Sequence, residues 1–366
     1  MRSSRQIRST DPSFFIDLTQ LNSPPEDICV VRLSAIGDTC HTLAVVRNLQ
    51  DNWPDTRITW IIGKTESLLM ADVTGVEFII FDKSKGRAAY RDVKTALAGK
   101  RFDVALCMHA SMRANLLCRL ISAPIRIGFD WRRARDFQWL FTNRRIVHQS
   151  NEHALDAMMG FARCIGAEPT AMRWDIPVSD ADQDFAAQHC KYPTLIISPC
   201  SSQRSRNFRN WSADNYAAVA GYAQARHGCR IILSGGNSEL EREYGEAIAS
   251  QGGPSIVNLI GQTTLKQLVA LFGAADVVIC PDSGPAHMAT AAGTPVIGLY
   301  ATSNPARTGP YVSRQLTVDR YPAALRKFMG KTERQVRWGR RVRNEDAMEL
   351  IRAKDVIEKI DACFDK

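Results

Sequence analysis

Val277-Val278-Ile279-Cys280 leads into Pro281-Asp282-Ser283-Gly284-Pro285-Ala286-His287, and Gly293-Thr294-Pro295 follows shortly after. The order is an apolar strand, a turn and a helix start, predicted as strand 277–280 and helix 285–292. Ser283 and Gly284 leave backbone N–H groups free at the helix start. Pro285 suits the first helical turn, where its missing donor costs nothing. Free N–H groups and the positive helix end together make a site for phosphate. The Asp282 carboxylate would repel phosphate, so capping the loop's own amides is the role expected of it. An ordinary capped strand–turn–helix reads the same way, and the motif alone does not separate the two.

The alternation extends along nearly the whole chain. Strands are predicted at 28–33, 58–62, 76–81 and 104–107, with a helix at about 41–51 and further helices between. A segment at 167–192, with Pro169, Pro177 and several acidic residues, breaks the rhythm. The pattern then restarts with strands 194–198, 230–234, 256–259 and 296–300 and helices 214–227, 239–249 and 265–272. This predicts an α/β protein with two doubly wound parallel sheets in series, their strand C-termini facing a shared cleft. The divisions are an arm 1–27, a domain 28–170, a linker 171–192, a domain 193–318 and a basic helical tail 319–366.

A chain of 366 residues exceeds one ordinary core and suits two. With 45% hydrophobic and 23% charged residues it has a globular profile. No stretch approaches the roughly 20 apolar residues of a membrane-spanning helix. The arm carries Arg2, Arg5 and Arg8 without an apolar block behind them, so it reads as a frayed arm rather than a signal peptide. None of the cysteines forms a C-x-x-C pair, and Cys29, Cys107 and Cys280 sit in apolar runs. Buried thiols in a reducing cytoplasm are expected, rather than disulfides or a zinc site. The net charge of +9 calls for an acidic partner: nucleic acid, an anionic membrane surface or a phosphorylated substrate. The stretch 320–343, with nine Lys or Arg, one Glu, and Tyr321, Phe328 and Trp338, suits nucleic acid or lipid alike.

A second chemical segment is Arg32-Leu33-Ser34-Ala35-Ile36-Gly37-Asp38-Thr39, after the first strand. Gly37 permits close backbone approach. Asp38 projects from a turn at the sheet's C-terminal edge, where catalytic groups gather. A helix cap is the commoner use of a turn aspartate, so both readings stand.

With His41-Thr42-Leu43 behind it, this segment resembles the N-terminal signature of the heptosyltransferases, glycosyltransferase family 9. Asp282-Ser283-Gly284-Pro285-Ala286-His287, then Ala292-Gly293-Thr294-Pro295 and Gly309-Pro310-Tyr311, is similar to that family's C-terminal signature. The resemblance spans about residues 28 to 311 and is strongest to heptosyltransferase I. It implies the GT-B fold: two Rossmann-like domains facing a central cleft, acceptor in the first and nucleotide in the second. It implies inverting transfer of heptose from ADP-heptose to the Kdo or inner-core region of lipopolysaccharide, with no cofactor and no metal. Asp38 is then the base that deprotonates the acceptor hydroxyl. Positive groups and helix N–H donors stabilise the departing diphosphate.

The resemblance also distributes binding roles. Ser34 and Gly37 fall near the donor, as do Asp282, Ser283, Gly284 and His287. Gly235-Gly236-Asn237-Ser238-Glu239 resembles the loop whose glutamate holds the ribose, which makes Glu239 the candidate, although it is also a plain helix-start acid. Arg209-Asn210-Trp211-Ser212 falls where the family shows Lys-x-Trp-Pro; Arg209 replaces the lysine, with Arg204 and Arg206 as alternates. On the acceptor side, Arg113, Arg132, Arg133, Arg135 and Arg144 would suit carboxylate and phosphate groups of Kdo-lipid A. A solvated basic surface is their plainer reading. The implied partners are a nucleotide sugar, the lipid acceptor and the cytoplasmic face of the inner membrane, with no nucleic acid and no obligate protein partner. The 320–343 tail is then expected to hold the enzyme peripherally on anionic lipid. Two other classes stay open at this point: a GT-B-fold sugar-nucleotide epimerase, and a non-catalytic protein that kept the fold.

Overall fold

The computed structural model describes residues 23–201, 207–253 and 255–365. Residues 1–22 of the arm, and Arg204 and Arg206, lie outside the described residues. The first sheet is built from β1 (Asp27–Val31), β2 (Arg57–Gly63), β3 (Val76–Phe81), β4 (Val104–Leu106), β5 (Ile125–Gly128) and β6 (Arg144–Arg145). The second is built from β7 (Thr194–Ile197), β8 (Arg230–Leu233), β9 (Ile256–Asn258), β10 (Val277–Pro281), β11 (Val296–Tyr300) and β12 (Val318–Asp319). The first domain carries helices α1 (Ile36–Asn52), α2 (Lys64–Met70), α3 (Arg87–Ala96), α4 (Met112–Cys118) and α5 (Ala154–Arg163). Helix α6 (Asp180–His189) follows, then α7 (Ala213–His227), α8 (Glu239–Gln251), α9 (Leu265–Ala274), α10 (Gly284–Ala291) and α11 (Pro305–Thr308). The tail adds α12 (Tyr321–Met329) and α13 (Ala353–Phe364).

The strand orders are β3-β2-β1-β4-β5-β6 and β9-β8-β7-β10-β11-β12, with every pairing parallel. Both are the same doubly wound arrangement, and each reverses direction once, between β1 and β4 and between β7 and β10. Such switch points open a crevice at the strand C-termini, where ligands of this fold bind. The segments quoted first, after β1 and after β10, both leave strands that flank a switch point.

The central strands read as unbroken apolar runs because they are covered on both faces. β7 and β10 are buried along their whole length. Cys29 and Cys280 lie buried within strands, and Cys107 is buried just past β4. One apolar cluster runs from Ile28, Val30 and Leu43 through Phe161 to Phe272, Val278 and Met288, so the two domains share core.

Strands β5, β6 and β12 were not among those expected, and two helical segments also differ from the expectation. Helix α1 starts at Ile36 rather than near 41, which draws Gly37 and Asp38 into its first turn. The 167–192 segment, expected as a domain linker, contains α6. Only Ala186 of α6 is buried, so no apolar stripe announces it; Ser179 caps it by accepting from Asp182 N at 3.2 Å.

The tail folds back on the second domain. Trp211 Nε1 donates to Ile351 O at 3.0 Å, and Tyr222 and His227 both bond Asp361 of α13. Between α12 and α13 the chain is pinned by Val342 N to Thr302 O (2.9 Å) and by Tyr321 OH to Arg340 O (2.7 Å). Trp338 Nε1 reaches the first domain, donating to Glu152 O at 2.8 Å.

Candidate active site

The end of β1 is braced from both sides. Trp60 of β2 donates its Nε1 to Arg32 O at 3.1 Å. Beyond β4, Met108 O accepts from Arg32 Nη1 at 2.6 Å, and His109 Nδ1 accepts from Leu33 N at 3.2 Å. The second arm of the Arg32 fork forms an ion pair with the Asp38 carboxylate. Arg32 is 7% exposed, whereas the Asp38 side chain is 40% exposed. Asp38 is therefore not the cap of α1. Ala35 occupies that position, without a side-chain bond, and Asp38 stands in the first turn, where helix N–H groups favour an anion. The result is a carboxylate paired with a fixed fork and open to the cleft.

Beside it, His109 presents a neutral imidazole. Burial, then the charge of Arg32, pushes its pKa down to about 4. Because Nδ1 accepts from the Leu33 amide, the neutral ring carries its hydrogen on Nε2.

The end of β10 is arranged differently. Ser283 is the N-cap of α10 in an extended conformation without a side-chain cap bond, and Gly284 and Pro285 open the helix. Asp282 does not cap the loop amides as expected. Among the described residues its Oδ2 has no hydrogen-bond partner, and it faces Arg209 at 3.5 Å and Arg341 at 3.8 Å. Arg209 Nη1 also donates to Asp282 O at 2.7 Å, so this arginine braces the loop directly. Two cations beside Asp282 remove the repulsion that its charge would otherwise offer to a phosphate.

In the neighbouring loop it is Glu241 that turns back, accepting from Gly236 N at 2.8 Å and from Ser238 Oγ at 2.5 Å. Glu239 stands exposed on the first turn of α8. Ser34 lies half-buried on the loop between β1 and α1.

The domains meet through α1 and α10. A Cβ on Gly37 would fall 2.4 Å from His287 Cδ2, so glycine is required there by close approach rather than by an unusual φ. The His287 ring packs edge-on to His41, with centroids 4.5 Å apart, and His41 meets His153 at 5.7 Å. His287 thus faces the partner domain as much as the phosphate loop. Burial pushes all three imidazoles below their ordinary values, His153 to about 4. The Gly309-Pro310-Tyr311 segment joins the same contact. His153 Nε2 donates to Gly309 O at 2.9 Å, and Tyr311 OH donates to Asp156 at 2.6 Å.

The acceptor candidates lie on the first domain. Arg113, Arg132 and Arg135 are exposed and Arg144 is half-buried. Arg133 departs from the expected role. Its guanidinium is engaged by Asp130 and Glu152, so its charge is already balanced inside the domain. Sequence reasoning passed over the apolar side chains among these arginines. Trp131 (64% exposed), Phe137 (60%) and Leu140 (60%) stand out from the same loop, and Arg145 stacks over Trp131 at 3.8 Å. It also assigned no role to Arg32, His109 or Arg307 and gave Arg341 only to the lipid-facing tail; the four come from separate segments. No local pattern marks His109 or Arg341.

This architecture, two doubly wound domains with an anionic side chain at one switch point and a helix start with two arginines at the other, is that of a two-domain GT-B protein. Residues 90–335 match the model of glycosyltransferase family 9 (heptosyltransferase). The lipopolysaccharide core heptosyltransferase OpsX of Haemophilus influenzae is 39% identical over 335 residues, covering 91% of this chain and 95% of that protein. Among solved structures, the family 9 glycosyl transferase of Veillonella parvula superposes with a TM-score of 0.76 at 20% identity, over 93% of this chain and 97% of that one. The E. coli heptosyltransferase WaaC with ADP gives 0.71 at 20% identity, over 92% and 99%. The chain belongs to glycosyltransferase family 9, the heptosyltransferases. It is an enzyme of glycosyl transfer with the GT-B fold, and the epimerase and non-catalytic readings give way to that membership.

Proposed function

We propose that this protein transfers L-glycero-D-manno-heptose from ADP-heptose to the Kdo or inner-core region of lipopolysaccharide, inverting the anomeric carbon. The observation that carries this reading is the Asp38 carboxylate, held by Arg32 and open to the cleft between the two switch points. The likeness to OpsX, a lipopolysaccharide core heptosyltransferase, supports the substrate class, and the WaaC structure with ADP supports the nucleotide.

In this mechanism the acceptor hydroxyl attacks the anomeric carbon and passes its proton to Asp38. The bond from that carbon to the β-phosphate oxygen breaks, and its electron pair leaves with ADP. Arg32 cannot swing away, since its other arm is committed to Met108 O, so the base keeps its position. The N–H groups at the start of α10, with Ser283 and Gly284, receive the diphosphate, and Arg209 holds that loop in place. Ser34, Gly37 and His287 border the donor where the domains meet, and Asp282 sets the loop between its arginines. Glu239 is exposed at the mouth of the next loop, where a ribose diol can reach it. In this reading the arginines and the helix N–H donors, rather than a metal, meet the departing diphosphate.

Arg113, Arg132, Arg135 and Arg144 meet the acidic groups of the acceptor, with Arg133 as the brace beneath them. The neighbouring Trp131, Phe137 and Leu140 favour a lipid-borne acceptor, because aromatic side chains with adjacent arginines suit the bilayer interface. No helix among the described residues is long and apolar enough to cross a membrane. The proposed attachment to the inner membrane is peripheral, through this loop and the exposed arginines of the tail.

The experiment is incubation with ADP-heptose and Kdo-lipid A, following ADP release and the anomeric configuration of the product. Release of ADP with an inverted linkage supports the reading. A retained linkage overturns the single-displacement mechanism, and ADP binding without release redirects the search to another acceptor or sugar.

A further inference from the structure

β4 runs beside β1 at the first switch point, and the chain leaving it carries Met108 and His109 past the end of β1. Met108 is tied to that turn through its carbonyl, which accepts from Arg32. His109 is tied to it through its ring, whose Nδ1 accepts from Leu33 N at 3.2 Å. A backbone amide can only donate, so this bond puts the lone pair on Nδ1 and the ring hydrogen on Nε2.

The other side of the ring is open. Among the described residues the Nε2–H of His109 has no partner. The ring nitrogens sealed away without a partner belong to His41, His189 and His287, and His109 Nε2 is not one of them. On a half-buried ring it therefore keeps contact with solvent. The charged groups that act on the ring are Arg32, Asp38 and Arg113, from the end of β1, from α1 and from α4. None of them belongs to the second domain. A donor in this place meets a ligand held by the first domain, between Asp38 and Arg113.

We propose that His109 is an acceptor-binding residue whose Nε2–H donates to a hydroxyl of the acceptor sugar next to the one that Asp38 deprotonates. This rests on the transfer reading above. The ring itself takes no proton in the reaction, because Nε2 already carries one and the Leu33 amide occupies Nδ1. The acceptor's proton still goes to Asp38. Burial, then Arg32, keeps the imidazole neutral at ordinary pH, with Asp38 opposing them and Arg113 adding to them. The arginines draw in any acidic acceptor, since charge acts over distance and without direction. A single neutral N–H reads one oxygen at one angle, and a site built around it rejects a sugar that lacks that oxygen. His109 thus sets which acceptor is glycosylated, while the arginines set how strongly acidic ones are attracted.

Kdo-lipid A and two analogues of it, each lacking one hydroxyl flanking the glycosylated position, test this. Acceptor KM and kcat are measured with ADP-heptose for the wild type, His109→Phe and His109→Gln, with ADP affinity by calorimetry beside them. Phenylalanine fills the space without a hydrogen bond, whereas glutamine can accept from Leu33 N and donate from its amide. The wild type should lose about tenfold or more in kcat/KM on one of the two analogues. His109→Phe should lose about as much on intact Kdo-lipid A, mainly in KM, and should no longer distinguish that analogue. Its ADP affinity should stay within about twofold of wild type, and His109→Gln should recover most of the discrimination. Losses that simply multiply when variant and analogue are combined would overturn the contact. A loss in kcat alone, equal for all three acceptors, would make the ring a support of the Leu33 turn and overturn it too. A wild type that binds ADP yet transfers to none of the three removes the acceptor reading and this proposal with it. A wild type that transfers, beside a His109→Phe variant with the same KM and the same preference, refutes the contact alone.

Discussion

His287 of α10 lies against Gly37 of α1 so closely that a side chain on residue 37 would collide with the imidazole. The two motifs most informative in the sequence are thus in contact across the domain interface. Gly37→Ala should force the His287 ring aside, at a cost of about 1–3 kcal/mol for an overpacked contact. Removing the ring in the double variant Gly37→Ala/His287→Ala should recover part of that loss. Urea denaturation of the three variants measures it, and strictly additive effects would contradict the contact.

His153 uses both ring nitrogens in its neutral form: Nδ1 accepts from Leu155 N at 3.1 Å and Nε2 donates to Gly309 O. Protonation would turn Nδ1 into a donor facing another donor. Its folded pKa of about 4 lies below the ordinary value of 6.5, so the unfolded chain takes up the proton first as pH falls. Stability is complete above about pH 6.5 and declines towards about pH 4, by up to about 3 kcal/mol from this residue. His41 and His287 act in the same direction. Urea midpoints at pH 7.5 and 5 should differ in the wild type and differ less in His153→Gln; the same decline in both would argue against it.

Arg32 supports Asp38 with one arm only because Met108 O holds the other. Arg32→Met should lower kcat about ten- to a hundredfold through a misplaced base, with ADP affinity within about twofold. Arg32→Lys, which offers a point charge instead of a fork, should fall between. Loss of ADP binding in Arg32→Met would instead indicate a donor contact.

The proposed membrane attachment divides between two surfaces. Tyr321 of the tail is fully buried and Trp338 spends its Nε1 on Glu152, so the tail offers mainly arginines. Trp131 and Phe137 offer apolar surface. Sedimentation with phosphatidylglycerol-containing vesicles should weaken with salt, with neutralised tail arginines, and with Trp131→Ala/Phe137→Ala. Binding indifferent to all three would remove the membrane reading.

Sequence reasoning reached β3 at 76–81 and the fully buried β11 at 296–300 because both are apolar runs, but it did not mark the short strands β5, β6 and β12. It missed α6 because that helix is acidic and barely buried. It began α1 too late because Gly37 looks like a turn residue when the His287 ring above it is unknown. Asp38 and the 282–287 segment were legible as local patterns. His109, Arg307 and Arg341 were not, since each is set in place through a contact distant in sequence: the Leu33 amide, the close approach of Gly339 and the Thr302 carbonyl.

The central claim is that Asp38 is the base, and Asp38→Asn tests it most directly. Asparagine keeps the shape but cannot accept the acceptor's proton. Single-turnover transfer from ADP-heptose to Kdo-lipid A should fall about a hundredfold or more, while ADP binding stays close to wild type. Transfer within a few-fold of wild type would contradict the account and leave the ion pair with Arg32 as a structural feature of the β1–α1 turn.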